Sequence, residues 1–341
     1  MKCFTVVLCV GLVVGEIPIF DKVVDKVAAW AFRKFLESAM RGATGGLLGG
    51  EGLGGGAGSL VSGGLGSLGA GALGGGGLGG VNPVSGLTSL LPIRGLIPPD
   101  INPEEYSGQF QGDIVLDEPA IDYMVNQYAM VRSAVVVADV RWPNNTVVWQ
   151  FNDNDFDEEQ QAAIQEGMQL VENNTCIRFR LREPGETVYV NITGNATGCY
   201  SMVGYGAVRG MHVLNYAPHP PGTGCLRLTT IVHELMHILG ILHMHSTHDR
   251  DNYVRIVEEN IAPGMQGQLF IAGAQDVSNL GVPYDYLSCM HYSSNAFSAN
   301  GNVTIEALQE VNGVMGQRDY ITDSDWLRIN RHYDCPGAWD E

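Results

Sequence analysis

The stretch VHELMHILGILH, residues 232–243, carries three histidines, one glutamate and one glycine at fixed offsets. On a helix, His233 and His237 are one turn apart, so both imidazoles project from the same face at a spacing that suits two metal ligands. Gly240 predicts the end of this helix, because glycine takes a left-handed conformation at low cost. The returning chain then brings His243 close. Three histidines leave one zinc position open, which is typical of catalytic rather than structural sites.

Glu234 directly follows the first predicted ligand and lies about 100° from it around the helix. It could therefore reach a water molecule at the metal without binding the metal itself, as a general base must. The alternative is an apolar core helix with incidental histidines. That alternative is disfavoured, because three histidines and a glutamate on a buried helix would be costly without a partner.

Fifty residues further along the chain, the stretch SCMHY supplies Met290 and Tyr292. A methionine here could form an apolar floor beneath a metal ion. A tyrosine could bind the ion or donate a hydrogen bond to a developing oxyanion. The pair has no meaning alone, but after an extended zinc motif it supports the same interpretation.

Composition restricts the class of protein. The formal net charge of −18 over 341 residues argues against a nucleic-acid partner. The start MKCFTVVLCVGLVVGEIP predicts a signal peptide, residues 1–15, that is cleaved after Gly15; the alternative, a membrane anchor, is disfavoured because the apolar run is too short to span a bilayer. We therefore expect a secreted, extracellular protein without a membrane span.

Cysteines and glycosylation sequons fit export. Cys3 and Cys9 leave with the signal peptide, and the remaining five cysteines predict two disulfides and one spare thiol. Five Asn-X-Ser/Thr sequons predict a glycoprotein. They begin at Asn144, Asn173, Asn191, Asn195 and Asn302.

The region between the signal peptide and the histidine motif changes character along its length. Residues 20–40 predict an amphipathic helix, which either packs on protein or lies on a membrane surface. Residues 41–80 contain glycine at 21 of 40 positions and predict a flexible linker or, alternatively, a self-associating matrix segment. Prolines then indicate extended chain, and order is expected to resume near Phe110.

From residue 133 to 341 the pattern is that of one α+β domain. NTVVWQF, CIRFRL and TVYVNI predict strands, and residues 157–175 predict a helix capped by Asp157. The glycine-containing stretch 198–214 predicts an exposed edge strand followed by a buried one. After Gly240 the chain is expected to be mostly irregular until a last helix capped by Asp323 or Ser324.

Five motifs together resemble the astacin family of metzincin zinc endopeptidases over roughly residues 133–335. They are HELMHILGILH, HDRDNYV (248–254), YDYLSCMHYSSNAFS (284–298), MGQRDYITDSD (315–325) and INRHYDC (329–335). The resemblance implies a two-lobed α+β metzincin fold with a twisted mixed sheet, an active-site helix and a mostly irregular C-terminal lobe, with the cleft between the lobes.

The same resemblance assigns roles to residues. His233, His237 and His243 would bind one zinc ion per subunit, and Glu234 would act as base and proton shuttle. Tyr292 would be a fifth, switchable ligand that stabilises the tetrahedral intermediate, and Met290 would form the Met-turn. The implied disulfides are Cys176–Cys335 and Cys199–Cys225, which leaves Cys289 as a buried thiol.

The stretch FQGD, residues 110–113, resembles the family's prosegment motif, in which the aspartate binds zinc in the zymogen. Asp113 would then keep the precursor latent until another protease cuts after Arg132, so that residues 16–132 form a propeptide and Ser133 begins the mature enzyme. The alternative is a plain turn before a strand.

Two residues depart from the family pattern. Met244 stands where the family usually has glutamate, and Thr247 stands where it usually has arginine. That glutamate normally anchors the mature amino terminus, so we expect a loosely held terminus in this chain.

The sequence therefore predicts a secreted zinc metalloendopeptidase, made as a zymogen. Its substrates would be proteins or peptides that lie extended along the edge strand near residues 199–203. Two alternatives differ in class: an inactive binding module that keeps zinc for its shape, and a structural matrix protein suggested by the glycine tract.

Overall fold

The computed structural model describes residues 102–117, 121, 140–269, 271 and 277–340. The predicted signal peptide, the amphipathic helix of residues 20–40, the glycine tract and the Arg132–Ser133 bond lie outside the described residues. Within the described part, no helix combines the length and apolarity that crossing a bilayer requires.

A five-stranded mixed sheet forms one side of the domain, in the spatial order β2-β1-β3-β5-β4. Neighbouring strands are parallel, except that β4 runs antiparallel to β5 at one edge. The strands are β1 (Thr146–Phe151), β2 (Arg178–Leu181), β3 (Tyr189–Thr193), β4 (Cys199–Ser201) and β5 (Met211–Tyr216).

Helices α1 (Glu158–Asn174) and α2 (Leu228–Ile238) pack against each other. Asp157 caps α1 through a capping box with Gln160, as the sequence indicated. Gly167 allows close contact between the two helices, because a Cβ at this position would overlap the side chain of Ile231.

The C-terminal part is mostly irregular. It holds a two-stranded antiparallel sheet of β6 (Val254–Ile256) and β7 (Ile305–Ala307), followed by α3 (Asp323–His332). The predicted cap of α3, Asp323 or Ser324, was wrong: Thr322 caps the helix, because its side chain accepts a hydrogen bond from the Asp325 amide.

Short 3-10 helices connect these elements. They are Pro103–Tyr106, Pro143–Asn145, Gly224–Leu226, Met244–Ser246, Arg250–Asn252, Glu258–Asn260 and Gln266–Leu269.

Two apolar clusters hold the α+β fold together. The larger contains side chains of the sheet and of all three helices, and the smaller lies between β6, β7 and the segment around Tyr292. Cys176–Cys335 ties the chain before β2 to the end of α3, and Cys199–Cys225 ties β4 to the turn before α2. Of the cysteines that the structure describes, Cys289 alone is unpaired, and it is buried.

Order begins earlier in the chain than the sequence indicated. We expected it near Phe110, but Pro103, Glu104 and Glu105 are already buried in a 3-10 helix against the domain. The prolines suggested extended chain, yet Pro103 occupies the first helical position, where a missing amide costs nothing. We call residues 102–117 the FQGD segment.

Candidate active site

Helix α2 and the turn after it place the three histidines. The helix ends where expected: Gly240 has φ of 95°, and its amide donates to the His237 carbonyl at 2.8 Å. The amide of Ile241 donates to the Met236 carbonyl at 2.9 Å, which completes a Schellman motif. This reversal returns the chain to the helix face that carries the first two histidines, and His243 joins them.

Four buried side chains converge at one point: Asp113, His233, His237 and His243, whose candidate ligand atoms all lie within 4.8 Å of one another. The Asp113 Oδ2 atom lies 3.0 Å from His233 Nε2 and 3.2 Å from His243 Nε2. The Asp113 Oδ1 atom lies 3.6 Å from His237 Nε2. The FQGD segment therefore contributes the fourth member of a cluster that the histidine motif begins.

The other ring nitrogens of the histidines contact oxygen acceptors. His233 Nδ1 lies 2.7 Å from the Cys289 carbonyl, His237 Nδ1 lies 2.8 Å from the Ile241 carbonyl, and His243 Nδ1 lies 3.1 Å from Gln111 Oε1. A proton on each Nδ1 satisfies these acceptors, and in that neutral tautomer every Nε2 has a lone pair. Burial lowers the pKa of His243 to about 3, so its ring is neutral.

Lone pairs thus face one another at the centre of the cluster. His237 Nε2 and His243 Nε2 are 3.2 Å apart, and both face the Asp113 carboxylate. A single proton could bridge only one such pair, whereas a divalent cation bonds all four atoms. Three imidazole nitrogens and one carboxylate oxygen are a donor set that suits zinc. The residues therefore fit the metal that the sequence motif predicted.

Glu234 lies beside the cluster, fully buried on α2. Neither of its carboxylate oxygens has a hydrogen-bond partner among the described residues. Burial, and then the nearby charge of Asp113, raise the pKa of Glu234 well above its usual range. A buried carboxyl group without a structural partner is costly, and such groups concentrate at functional sites.

Tyr292 is buried next to His243, with the ring centroids 4.5 Å apart. Its hydroxyl donates a hydrogen bond to the backbone carbonyl of Gln111 and lies 3.4 Å from His243 Nδ1. The Tyr292 hydroxyl therefore contacts the FQGD segment, and it lies on the side of the His243 ring that carries Nδ1.

The turn that contains Met290 lies directly beneath the first histidine. Met290 is fully buried in the larger apolar cluster, and its carbonyl accepts a hydrogen bond from the Met244 amide at 2.9 Å. Asp325 of α3 holds this turn by accepting from the Cys289 amide at 3.0 Å. The sequence did not reveal Asp325, because its role depends on where α3 packs.

A tight turn presents Asp113 to the histidines. Gln111 and Gly112 have φ values of 48° and 80°, and both lie in the left-handed region. A Cβ at Gly112 would come within 2.8 Å of the Glu104 carbonyl, so only glycine fits here. FQGD therefore needs glycine at position 112 for two reasons: the backbone is left-handed there, and there is no room for a side chain.

Two acidic side chains of the FQGD segment make further buried contacts that the sequence did not predict. Glu104 forms an ion pair with Arg318, and Glu105 accepts from the Ser293 amide at 2.8 Å and hydroxyl at 2.7 Å. Burial is the main reason why the pKa of Glu105 is raised. Two adjacent acidic residues in a proline-rich stretch gave too weak a signal to predict these contacts.

The edge strand is not exposed, contrary to the sequence prediction. All three residues of β4 are buried, because the FQGD segment adds to this edge as a parallel neighbour. The Ser201 amide donates to the Asp113 carbonyl at 2.9 Å, and the Val115 amide donates to the Ser201 carbonyl at 2.8 Å. The sequence of β4 alone does not indicate this cover.

Comparisons with known proteins agree with the geometry. Residues 135–334 match the peptidase family Astacin. The chain is 33% identical over 228 residues to zinc metalloproteinase nas-4 from Caenorhabditis elegans, covering 67% of this chain and 70% of that one. It is 33% identical over 238 residues to seminal metalloprotease 1 from Drosophila melanogaster, covering 69% and 90%.

A solved structure is similar as well. High choriolytic enzyme 1, a hatching enzyme zinc-protease from the medaka fish Oryzias latipes, is 34% identical with a TM-score of 0.51. The match covers 57% of this chain and 93% of that chain. These matches establish the α+β metzincin architecture, the enzymatic class and zinc as cofactor. The chain therefore belongs to the astacin family of zinc metalloendopeptidases.

Proposed function

We propose that this chain is a secreted zinc endopeptidase that is held latent by Asp113 until residues 16–132 are removed. His233, His237 and His243 bind the zinc ion, and Asp113 takes the fourth position in the precursor. The observation that carries the proposal is the convergence of three Nε2 lone pairs and one carboxylate on a single buried point.

Glu234 is the general base in this proposal. Zinc supplies Lewis-acid chemistry, which polarises a peptide carbonyl and makes water more acidic. A carboxylate oxygen of Glu234 accepts the proton of the attacking water and later passes it to the amine that leaves. Its lack of a structural hydrogen bond among the described residues supports this role, because a free carboxylate can exchange a proton without breaking a contact.

Tyr292 has its role after Gln111 departs. In the precursor, the Gln111 carbonyl accepts from its hydroxyl. When the FQGD segment leaves, that hydroxyl is free to donate to the negative oxygen of the transition state. Met290 supports the first histidine from below through the buried turn that it shares with Cys289.

Latency in this proposal has two components. The carboxylate of Asp113 excludes the attacking water from the histidine cluster, and the backbone of residues 113–115 occupies the β4 edge on which a substrate would lie. A protease that cuts after Arg132 would start the removal of both.

Secretion is supported by several features together. The apolar start of the chain, the two disulfides and the sequons suit an oxidising, extracellular environment. The physiological substrates would be proteins or peptides that can adopt an extended conformation in the cleft.

The test uses full-length protein that is expressed, cleaved after Arg132 and purified. We expect one zinc per chain by elemental analysis and hydrolysis of an unfolded protein, both lost with a chelator and restored by zinc. Glu234→Gln should retain zinc and lose at least about a hundredfold in rate, as expected for loss of a general base. A fully active Glu234→Gln protein would refute the mechanism. Zinc binding by wild type without any hydrolysis would favour a binding module instead.

A further inference from the structure

We propose that Arg209 forms a subsite for an acidic side chain at the C-terminal end of β4, so that the enzyme prefers substrates with aspartate or glutamate there. This inference rests on the proposed function, because it concerns the peptide that replaces the FQGD segment in the cleft. It names the class of substrate that the cleft selects.

The FQGD segment already places a carboxylate on Arg209. The Asp117 Oδ2 atom lies 2.5 Å from Arg209 Nε, and its Oδ1 atom lies 3.4 Å from Nη2. The two side chains are only 19% and 16% exposed. A guanidinium and a carboxylate with two facing contacts form a directional pair, and partial burial protects it from screening.

The domain itself holds the Arg209 side chain in place. Its Nη1 donates to the Val203 carbonyl at 2.7 Å and to the Gly204 carbonyl at 3.3 Å. Its backbone amide donates to the Gly206 carbonyl at 3.0 Å. These contacts lie within the loop between β4 and β5, so they remain when the FQGD segment is removed.

The loop also makes room for this arginine. A Cβ on Gly206 would come within 2.7 Å of Arg209 Cδ, so glycine allows the stem to lie across the loop. The Gly206 amide in turn donates to His212 Nε2 at 2.9 Å, and His212 is fully buried on β5. The guanidinium is therefore preorganised, which reduces the entropy lost when a carboxylate binds.

The position of Arg209 relative to the reaction centre follows from the chain. Asp113 marks the histidine cluster, and Asp117 is four residues further along. An extended chain spans at most about 3.6 Å per residue, so the two Cα atoms are within about 14 Å. Val203 and Gly204 lie two and three residues after the end of β4, the edge that the segment covers. A substrate that is extended along β4 would therefore place a side chain on Arg209 within about four residues of the cleaved bond.

The mature enzyme tests this inference. The starting peptide has a single known cleavage site and no acidic residue. Two peptides are then made for each of the five positions on either side of the bond. One has aspartate at that position, and its neutral match has asparagine there. We expect kcat/KM for one aspartate peptide to exceed that of its asparagine match by about fivefold, the upper range for a partly exposed ion pair. The gain should appear as a lower KM and should shrink as salt rises.

Arg209→Gln should abolish this preference without reducing the rate on the asparagine peptides, and Arg209→Lys should restore part of it. Arg255→Gln is the matched control, because Arg255 pairs with Glu306 on the separate β6–β7 sheet. The side of the bond on which the preferred position falls would report the direction of the substrate along β4.

Three results would overturn the inference: no aspartate preference at any position, a preference that survives Arg209→Gln, or an equal loss by that variant on all peptides. The last would show that Arg209 only shapes the loop. Failure of the wild-type enzyme to cleave any peptide would instead refute the proposed function, and this inference with it.

Discussion

Asp325 holds the backbone amide of Cys289, whose nitrogen lies 3.0 Å from the Asp325 Oδ2 atom. The carbonyl of the same Cys289 lies 2.7 Å from His233 Nδ1. Helix α3, close to the C-terminal end of the described chain, therefore fixes the orientation and tautomer of a proposed metal ligand on α2. Partners of this kind commonly tune metal affinity, although they never touch the metal.

The first prediction concerns this contact. Asp325→Asn should weaken zinc binding about 10- to 100-fold, because the amide nitrogen of asparagine cannot accept the hydrogen bonds that the carboxylate accepts. Competition with a chromophoric chelator measures the affinity. Asp323→Asn is the control, since Asp323 lies on the same helix and is exposed. Equal affinities of wild type and Asp325→Asn would show that the contact only supports folding.

The second prediction concerns Tyr292. Tyr292→Phe should reduce kcat by roughly 100-fold, because the hydroxyl would donate to the charge that develops in the transition state. Steady-state kinetics on one peptide measure the change. Tyr286→Phe is the matched control, since the Tyr286 hydroxyl donates to the Tyr253 carbonyl outside the histidine cluster. A Tyr292→Phe enzyme with wild-type kcat would remove this hydroxyl from the mechanism.

The third prediction concerns latency. The precursor with Asp113→Ala should hydrolyse peptides before any cut after Arg132, because alanine leaves the position at the histidines open to water. Asp117→Asn removes a charge from the same segment without contact to the histidines, so that precursor should stay latent. The measurement is peptide hydrolysis by uncut protein, with gels to show that it is uncut. If the Asp113→Ala precursor is as silent as wild type, the carboxylate of Asp113 is not required for latency, and the cover of β4 by residues 113–115 is sufficient.

The fourth prediction concerns the amino terminus. Met244 is buried, and its thioether is a weak acceptor without charge, so it cannot hold an ammonium group as a glutamate would. Enzymes that start at Ser133, or two residues earlier or later, should therefore have similar rates. Met244→Glu should make the rate depend on the first residue.

The measurement compares the rates at which purified enzymes of different amino-terminal length hydrolyse one peptide. A loss beyond about tenfold, equivalent to about 1.4 kcal/mol, on a two-residue extension of the wild-type sequence would contradict the prediction. It would mean that another group has replaced the missing glutamate.

Much of the fold was predictable because local patterns determine it. Asp157 caps α1 by a local side-chain contact, and Gly240 ends α2 by a local backbone conformation. The strands predicted around Val148, Phe179 and Val190 all form. The convergence of His233, His237 and His243 was also predictable from local structure, since one helix and one reversal of the chain bring them together.

Contacts between distant segments were not predictable from these patterns. The cover of β4 by residues 113–115, the Glu104–Arg318 ion pair and the Asp117–Arg209 pair each join residues far apart in the chain. The edge strand seemed exposed because its own sequence does not specify what lies beside it. The order of residues 102–106 was missed for the same reason, since their burial depends on a surface built elsewhere.

By itself, the sequence determined the chemistry: three histidines at helical spacing, a glutamate beside them and a glycine that forces the chain to return. Helical periodicity and backbone sterics act over a few residues, so these features could be inferred without coordinates. Only the tertiary structure decided what orients the histidines and what covers the cleft. Asp325 and Arg209 acquire these positions through packing and hydrogen bonds between segments whose separation in the chain gives no indication of their contact.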